Sequence, residues 1–527
     1  MTGMVIRNGY IKELDKSRHQ DAVKVLIGMR RVGKSTILRQ FADHLRNDGI
    51  DNDDIIYIDM ESLQNVEYTD GVALYRKIMS MPKGKRKYIL LDEVQLIDGW
   101  ERVVNSIRID IDCDMYISGS NAYLLSSDIS TLITGRSIPI TVLPMSLPEY
   151  IQLGMGNGPD DAFLTYSKYG GLPMMRPDLT AEMIVHRIES IKSDIILKDI
   201  CNRKKVDSIR IRKVIDYLFS EIGNKISIDT ISEVLDMSTS TVSDYLNLIT
   251  DSMMFMKAER YDLKGRNILK STPKYYCTDL GMRASQPISI DNDFGRKLEN
   301  IVYLELVRKG KRVYIGNIGN LEVDFVTIGE DTMDYYQVTK TLEDPKVMER
   351  ELAPFRQLTG RGERYLITYD DVPRTETQDA VIINIKEFLM EYSEDLGKTP
   401  MTEDNGAYMK AYGHLDAYLR LCSEILHTVV TIDNVSELSD RLQNTFFDMQ
   451  SAFKHPLLIG DRFIQERFDS ITRVEVNIFN AMIACANSNG HTGTYKPVSI
   501  GSMEILTKIR DEVSHHIGHS VIEGESS

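Results

Sequence analysis

Tryptophan and cysteine are scarce in this 527-residue chain, which has one Trp and five Cys. The cysteines (Cys113, Cys201, Cys277, Cys422 and Cys485) are scattered and form no C-x-x-C pair. That excludes a disulfide framework or zinc ribbon and fits a reducing compartment. Positive charge is also short: 63 Lys and Arg against 78 Asp and Glu leave a net charge of −15. A surface that grips nucleic acid or an anionic membrane all over is excluded, while a local basic stripe is not. No apolar run approaches the roughly 20 residues needed to span a bilayer. The first residues, MTGMVIRNGYIKELDKSRHQ, lack the apolar core of a signal peptide, so the expectation is a cytoplasmic protein with no membrane partner. What is present is ordinary for globular domains: 42% hydrophobic and 27% charged residues. At about 150 residues per domain, the length predicts three to four domains.

The first 150 residues alternate short apolar runs with helical patterns. VKVLIG (23–28), DIIYIDM (54–60), KYILLDEV (87–94), DMYISGS (114–120) and IPITVL (138–143) read as buried strands. Their continuous hydrophobicity is that of strands covered on both faces, and the amphipathic stretches between them complete an α/β architecture with a parallel sheet. After a helical stretch with a GGLP turn at 170–173, residues 226–262 give two short amphipathic helices around an MSTST turn. Ile231, Val234 and Leu235 form one apolar face on the first, and Val242, Tyr245, Leu246 and Ile249 form the second. Two strands around a basic, Gly-containing turn come next, which is the winged-helix order. Residues 291–390 return to mixed α/β. A soft break at 393–407 precedes a mostly helical segment whose tail is expected to be disordered.

The strongest motif is GMRRVGKS at 28–35, which satisfies G-x-x-x-x-G-K-[ST] between a strand and an amphipathic helix. Gly28 and Gly33 let the loop turn so that backbone N–H groups point inward at an anion, and the helix N-terminus adds partial positive charge. Lys34 is placed to reach the terminal phosphates and Ser35 to sit on Mg²⁺. Arg30, Arg31, Val32 and Thr36 complete the cofactor-binding stretch, the two arginines facing the loop or the adenine side. In KYILLDEVQ, Asp92 and Glu93 follow an apolar strand, at the end where open α/β sheets bind ligands. Asp92 would hold Mg²⁺ through water and Glu93 would polarise the attacking water. The strand DMYISGSN ends in Ser118, Ser120 and Asn121, polar groups able to touch the γ-phosphate or its water. Arg136, in a TGR turn, could neutralise transition-state charge in cis or in a neighbouring subunit. The expected cofactors are therefore ATP and Mg²⁺.

In this order, GMRRVGKS, LLDEVQ, SGSN, GR, PMSLPEY (144–150) and GGLP resemble the AAA+-type ATPases of the archaeal and bacterial uncharacterised ATPase group. Those proteins carry a P-loop ATPase domain, a winged helix and a C-terminal domain similar in its core to PD-(D/E)xK nucleases. The resemblance covers roughly residues 5–390. It implies a five-stranded core sheet of the additional-strand, catalytic-glutamate type, with Asn121 at the sensor position and Arg136 as arginine finger. The division it suggests is an ATPase domain at 1–175, a helical and winged-helix domain at 176–285, a nuclease-like domain at 286–392 and a helical segment at 408–527.

A nuclease of that core needs clustered carboxylates for Mg²⁺ and a lysine near the attacking water. Glu299, Asp324 and Gln337 fall in the expected order, but Thr339 stands where the pattern has lysine. Lys340, one position on, should point to the other face of its strand. The site therefore reads as degenerate, with the bland alternative that Glu322 and Asp324 lie on a solvated strand edge. The basic stretch RKKVDSIRIRK (203–213), with Lys264, Arg266 and Lys270 of the wing, is a candidate DNA contact. Three histidines, His515, His516 and His519, have no acid or Cys framing them and give a weak metal motif. The reading is an ATPase that drives a conformational switch, with a possible homo-oligomer. The alternatives are an ATP-gated, Mg-dependent DNA nuclease and a DNA-binding regulator.

Overall fold

In a computed structural model, the described residues are 5–395, with gaps at 83, 120–135, 157, 202–205, 285–292, 330–331 and 359–361. Beyond them only Tyr418, Cys422, Thr445 and Phe446 are described. The chain divides into two units, Met1–Gly397 and Lys398–Ser527. In the second, Tyr418 packs against Phe446. Ser120, Asn121, Cys485 and the three C-terminal histidines lie outside the described residues, as does almost all of the helical segment expected at 408–527.

Five strands form the first sheet: β1 (Val23–Ile27), β2 (Ile55–Asp59), β3 (Lys87–Asp92), β4 (Cys113–Gly119) and β5 (Ser137–Thr141), in the order β2-β3-β4-β1-β5. All neighbours run parallel. β1 and β3 are buried along their whole length, as their unbroken apolar runs require. β4 lies between the strand that feeds the phosphate loop and the strand that ends in Asp92, so the additional-strand P-loop core implied by the sequence is present. The first crossover helix, α1 (Lys34–Asn47), buries Ile37, Leu38, Phe41, Ala42 and Leu45. That stripe follows the 3.6-residue period and turns the opposite, charged face outward.

The second sheet has eight strands, in the order β12-β13-β11-β10-β9-β8-β6-β7. Its hairpin β6 (Phe255–Asp262) and β7 (Asn267–Cys277) comes after three helices, Ser208–Ser220, Ile228–Leu235 and Thr239–Asp251. Asp207, Ser227 and Ser238 cap these helices through their side chains. β6 pairs with β8 (Val313–Ile318) through Arg260–Asp262 and Ile315–Asn317. β9 (Leu321–Ile328), β10 (Met333–Thr339), β11 (Arg364–Thr368), β12 (Thr375–Glu376) and β13 (Val381–Asn384) complete the sheet. Hairpin and mixed α/β segment therefore share one hydrogen-bonded surface. β9 lies inside it, flanked by β8 and β10, so Glu322 and Asp324 are not on an edge.

The GGLP turn has a packing reason. Gly170 has φ +74, and a Cβ there would lie 2.1 Å from Asp279 Oδ1; one on Gly171 would lie 2.5 Å from the Met145 carbonyl. Asp279, buried just past β7, accepts N–H bonds from Gly171 at 2.8 Å and Gly281 at 2.9 Å. Only glycine admits a backbone approach this close. Arg308 joins the regions a second time, donating to the Pro144 carbonyl at 2.8 Å and pairing with Glu305 at 3.0 Å. No described helix is long and apolar enough to cross a membrane, and Cys113, Cys201, Cys277 and Cys422 are free thiols.

Candidate functional site

The phosphate loop joins β1 to α1 at the carboxyl end of the first sheet. Gly33 takes the left-handed conformation with φ +100 and sits directly before α1, so the amides of the helix's first turn have no side-chain cap. A Cβ on Gly28 would lie 2.3 Å from the Val142 carbonyl, so glycine is required there for a different reason, close approach to the strand beyond. Lys34 is buried, and its ammonium donates to the carbonyls of Gly28 at 2.9 Å and Met29 at 3.1 Å. Burial pulls its pKa below the ordinary lysine value, against the opposing pull of Glu93, Asp92 and Asp199. Arg7, which sequence reasoning missed, braces the loop from behind. It donates to the Val32 carbonyl at 3.1 Å and the Leu143 carbonyl at 3.1 Å, and pairs with Glu149 at 2.7 Å. Val32 is fully buried, while Ser35 and Thr36 are half-buried on the first turn of α1.

Asp92 and Glu93 stand at the end of β3, both buried. Ser118, at the end of β4, hydrogen-bonds Asp92 Oδ1 and accepts from the Glu93 amide at 3.0 Å, so one hydroxyl orients both acids. Tyr57, in the middle of β2, donates to Asp92 Oδ2 at 2.9 Å. Glu93 has φ +56, a left-handed backbone rare for a residue with a side chain, and its carboxylate accepts from the side-chain Nε2 of Gln95. Burial raises its pKa above the usual carboxylate value, against the opposing pull of Lys34 and Gln95. The acids and hydroxyl at two strand ends were readable as Asp92, Glu93 and Ser118. Tyr57 was not, because a tyrosine inside an apolar strand has the same pattern as a core residue.

The two loop arginines pair with acids outside the loop. Arg30 forms a two-point pair with Asp199, at 3.1 Å and 2.9 Å, and lies 3.5 Å from Glu61. That pairing holds the Arg30 pKa above its ordinary value against the cost of burial. Arg31 is exposed, 3.9 Å from Asp194. Arg136 is exposed just before β5, where its carbonyl accepts from Val23 at the amino end of β1. The register Val23↔Ser137 and Ile27↔Thr141 puts it at the far end of the sheet from Gly28. The structure therefore does not bring Arg136 to the loop of its own chain.

The second candidate cluster is built on β9, β10, β7 and the helix Phe294–Arg308. Gln337 Oε1 accepts from the Asp324 amide at 2.8 Å, and its Nε2 donates to Glu351 at 2.7 Å. Asp324 accepts from the Val338 amide at 2.9 Å. Between the acids lies a residue that sequence reasoning did not select. Lys274 of β7 pairs with Glu322 at 3.0 Å and Glu299 at 3.6 Å, and Lys225 pairs with Glu322 at 2.7 Å. Burial raises the pKa of Asp324, aided by Glu299, and also that of Glu299 itself, where Lys274 opposes it. Against its own burial, Lys274 is held above the ordinary lysine value by Glu299, Asp324 and Glu322. Thr339 is buried, and Lys340 is exposed past the end of β10. Among the described residues no group of three or more His, Cys, Asp or Glu is arranged to hold a metal ion.

Of the basic stretch 203–213, residues 203–205 lie outside the described residues. Arg210 and Lys213 are exposed on the helix Ser208–Ser220, and Lys264 and Arg266 are exposed at the hairpin tip.

A family model described as an AAA domain matches residues 20–151, and one described as a domain of unknown function (DUF8612) matches residues 160–292. An uncharacterized protein of Haemophilus influenzae is 32% identical over 402 residues, 74% of this chain and 99% of its own length. An uncharacterized protein of Methanocaldococcus jannaschii is 27% identical over 404 residues, 70% of this chain and 86% of its own. Among solved structures, the Aeropyrum pernix ORC1 protein in complex with DNA is 11% identical, covering 54% of this chain and 93% of that one, with a TM-score of only 0.28. Matched along nearly the whole of the Haemophilus influenzae protein, this chain belongs to that protein's family, and its N-terminal part is an AAA domain of the P-loop ATPase kind.

Proposed function

We propose that this protein binds ATP with Mg²⁺ in the loop Gly28–Ser35 and hydrolyses it to ADP and phosphate, driving a conformational change of the regions on the C-terminal side of the ATPase domain. The observation that carries the reading is the gathering of Lys34, Asp92 and Glu93, each buried, at the carboxyl end of one parallel sheet. The cradle fits the ligand: uncapped amides at the start of α1, a left-handed Gly33, and a lysine hydrogen-bonded to loop carbonyls. Ser35 and Asp92 would hold Mg²⁺, which supplies neutralisation of phosphate charge. Glu93 accepts a proton from water as the water oxygen bonds the γ-phosphorus and the bond from that phosphorus to the β–γ bridging oxygen breaks. Lys34 leaves the loop carbonyls for the phosphate oxygens.

Arg136, remote from its own loop, is suited to serve a neighbouring copy in a homo-oligomer. The order of three helices and a hairpin supports a winged helix, with Lys264 and Arg266 at its tip available to DNA phosphates. The cluster around Lys274 supports a nuclease-like core without cleavage activity.

The test is ATP binding by calorimetry together with phosphate release. Lys34→Ala loses binding. Glu93→Gln keeps binding and slows hydrolysis by about a thousandfold. Parental turnover in Glu93→Gln would remove the catalytic assignment, and stimulation of turnover by DNA would favour the DNA-acting form of the reading.

A further inference from the structure

The helix Ala181–Asp194 does not end where its α-helical hydrogen bonding ends. It continues as a seven-residue π-helical segment, Ile195–Cys201. Bonding from i to i+5 widens the backbone and shifts the direction of every side chain after the change. Such segments are uncommon and seldom longer than one turn, so something must hold this one. The side chain that leaves it is Asp199, whose carboxylate is buried against Arg30 of the phosphate loop in a two-point pair. Ile195, Ile196 and Ile200 are buried on the same segment, so its register is tied to the core as well as to the loop.

Arg30 and Asp199 also sense the catalytic crevice. The charge of Asp199 acts on Lys34, and that of Glu93 acts on Arg30. A triphosphate entering the loop brings several negative charges next to a guanidinium that already has a carboxylate partner. Both anions compete for one cation.

Resting on the ATPase reading, we propose that the Arg30–Asp199 pair is the latch through which nucleotide occupancy reaches the rest of the chain. Without nucleotide, Arg30 holds Asp199 and keeps Ile195–Cys201 in its π register. With ATP bound, Arg30 turns to the phosphates, Asp199 is released, and the segment relaxes toward α-helical bonding. That change of register rotates the elements beyond Cys201, beginning with the helix Ser208–Ser220. The segment then has two discrete arrangements, which is what a two-state coupling element requires. Asp199 is a positioning residue: it acts on Arg30 and does not touch the reacting atoms.

The experiment compares the full-length parent, Asp199→Asn and Asp199→Glu, with Mg·ATP affinity by calorimetry and amide hydrogen exchange across 195–201 with and without ATP. In the parent, ATP changes exchange in that segment. Asp199→Asn, which removes the competing charge, binds Mg·ATP about tenfold more tightly, and its segment no longer responds to ATP. Asp199→Glu, which keeps the charge, restores the parental affinity and response. The latch is overturned if ATP leaves exchange at 195–201 unchanged in the parent, or if Asp199→Asn keeps both the parental affinity and the parental response. A parent that binds and hydrolyses ATP while failing these measurements loses the latch alone. A parent that binds no ATP loses the ATPase reading with it.

Discussion

Two groups of acids in this chain, one buried and one half-buried, have opposite fates. Asp92 and Glu93 stand beside a cradle whose lysine, Lys34, is held by loop carbonyls and is available to an incoming anion. Glu299 and Glu322, with Asp324 close by, enclose a lysine that pairs with carboxylates already present. The first arrangement leaves its charges to be completed by a ligand. The second is completed from within, by the Lys274 ammonium group. Acid clusters therefore cannot be read by counting carboxylates alone; the position of the nearest cation decides whether a cluster binds or is closed.

Substitutions can separate the two. The largest difference is expected between equivalent changes at the two sites: Glu93→Gln lowers ATP turnover by about a thousandfold, whereas Glu299→Gln leaves it within about twofold, both read as phosphate release. Because burial raises the Glu93 pKa, the parental kcat/KM should fall on acidification at a pH above the usual glutamate range, as the base takes up its proton. That acid limb should vanish in Glu93→Gln.

A smaller effect, on stability, is expected for Lys274→Met. Removing the shared cation leaves the half-buried Glu299 without its ion-pair partner, while Glu322 keeps Lys225, and costs about 2 kcal/mol at neutral pH, measured by denaturant unfolding. The sign with pH is defined. Glu299 and Asp324 have raised pKa values in the fold, so the native state takes up protons before the unfolded chain does as pH falls. The penalty in Lys274→Met should therefore shrink between neutral and mildly acidic pH. A penalty independent of pH would show that the cluster is not held by charge. The smallest effect is expected for Tyr57→Phe, which removes one hydrogen bond to Asp92. It should cost about 1 kcal/mol in stability and weaken Mg·ATP binding only a few-fold.

Much of the ATPase core was legible. Its five strands are continuous apolar runs, and the phosphate loop and the Asp92–Glu93 pair are local patterns whose meaning depends on one strand end each. The illegible parts depend on distant pairing. Arg7 and Glu149 are 142 positions apart, Arg30 and Asp199 are 169 apart, and neither pair has a periodic signature. Lys274 was read as part of a hairpin strand, because nothing in its neighbours indicates that Glu299 and Glu322 will meet it. The joining of hairpin and mixed α/β segment into one sheet was equally hidden, since strand pairing between Arg260–Asp262 and Ile315–Asn317 leaves no trace in the local alternation. Arg136 was visible as an arginine in a turn, but its distance from Gly28 emerges only from the parallel register of β1 and β5.

The shared eight-stranded sheet has a mechanical consequence. A seam between the hairpin and the strands behind it would have let each swing alone, but here backbone hydrogen bonds would have to break for them to part. Eight strands at roughly 4.8 Å spacing make a plate about 34 Å wide. A rigid-body turn about one margin would displace the far edge the most, as in a stiff lever.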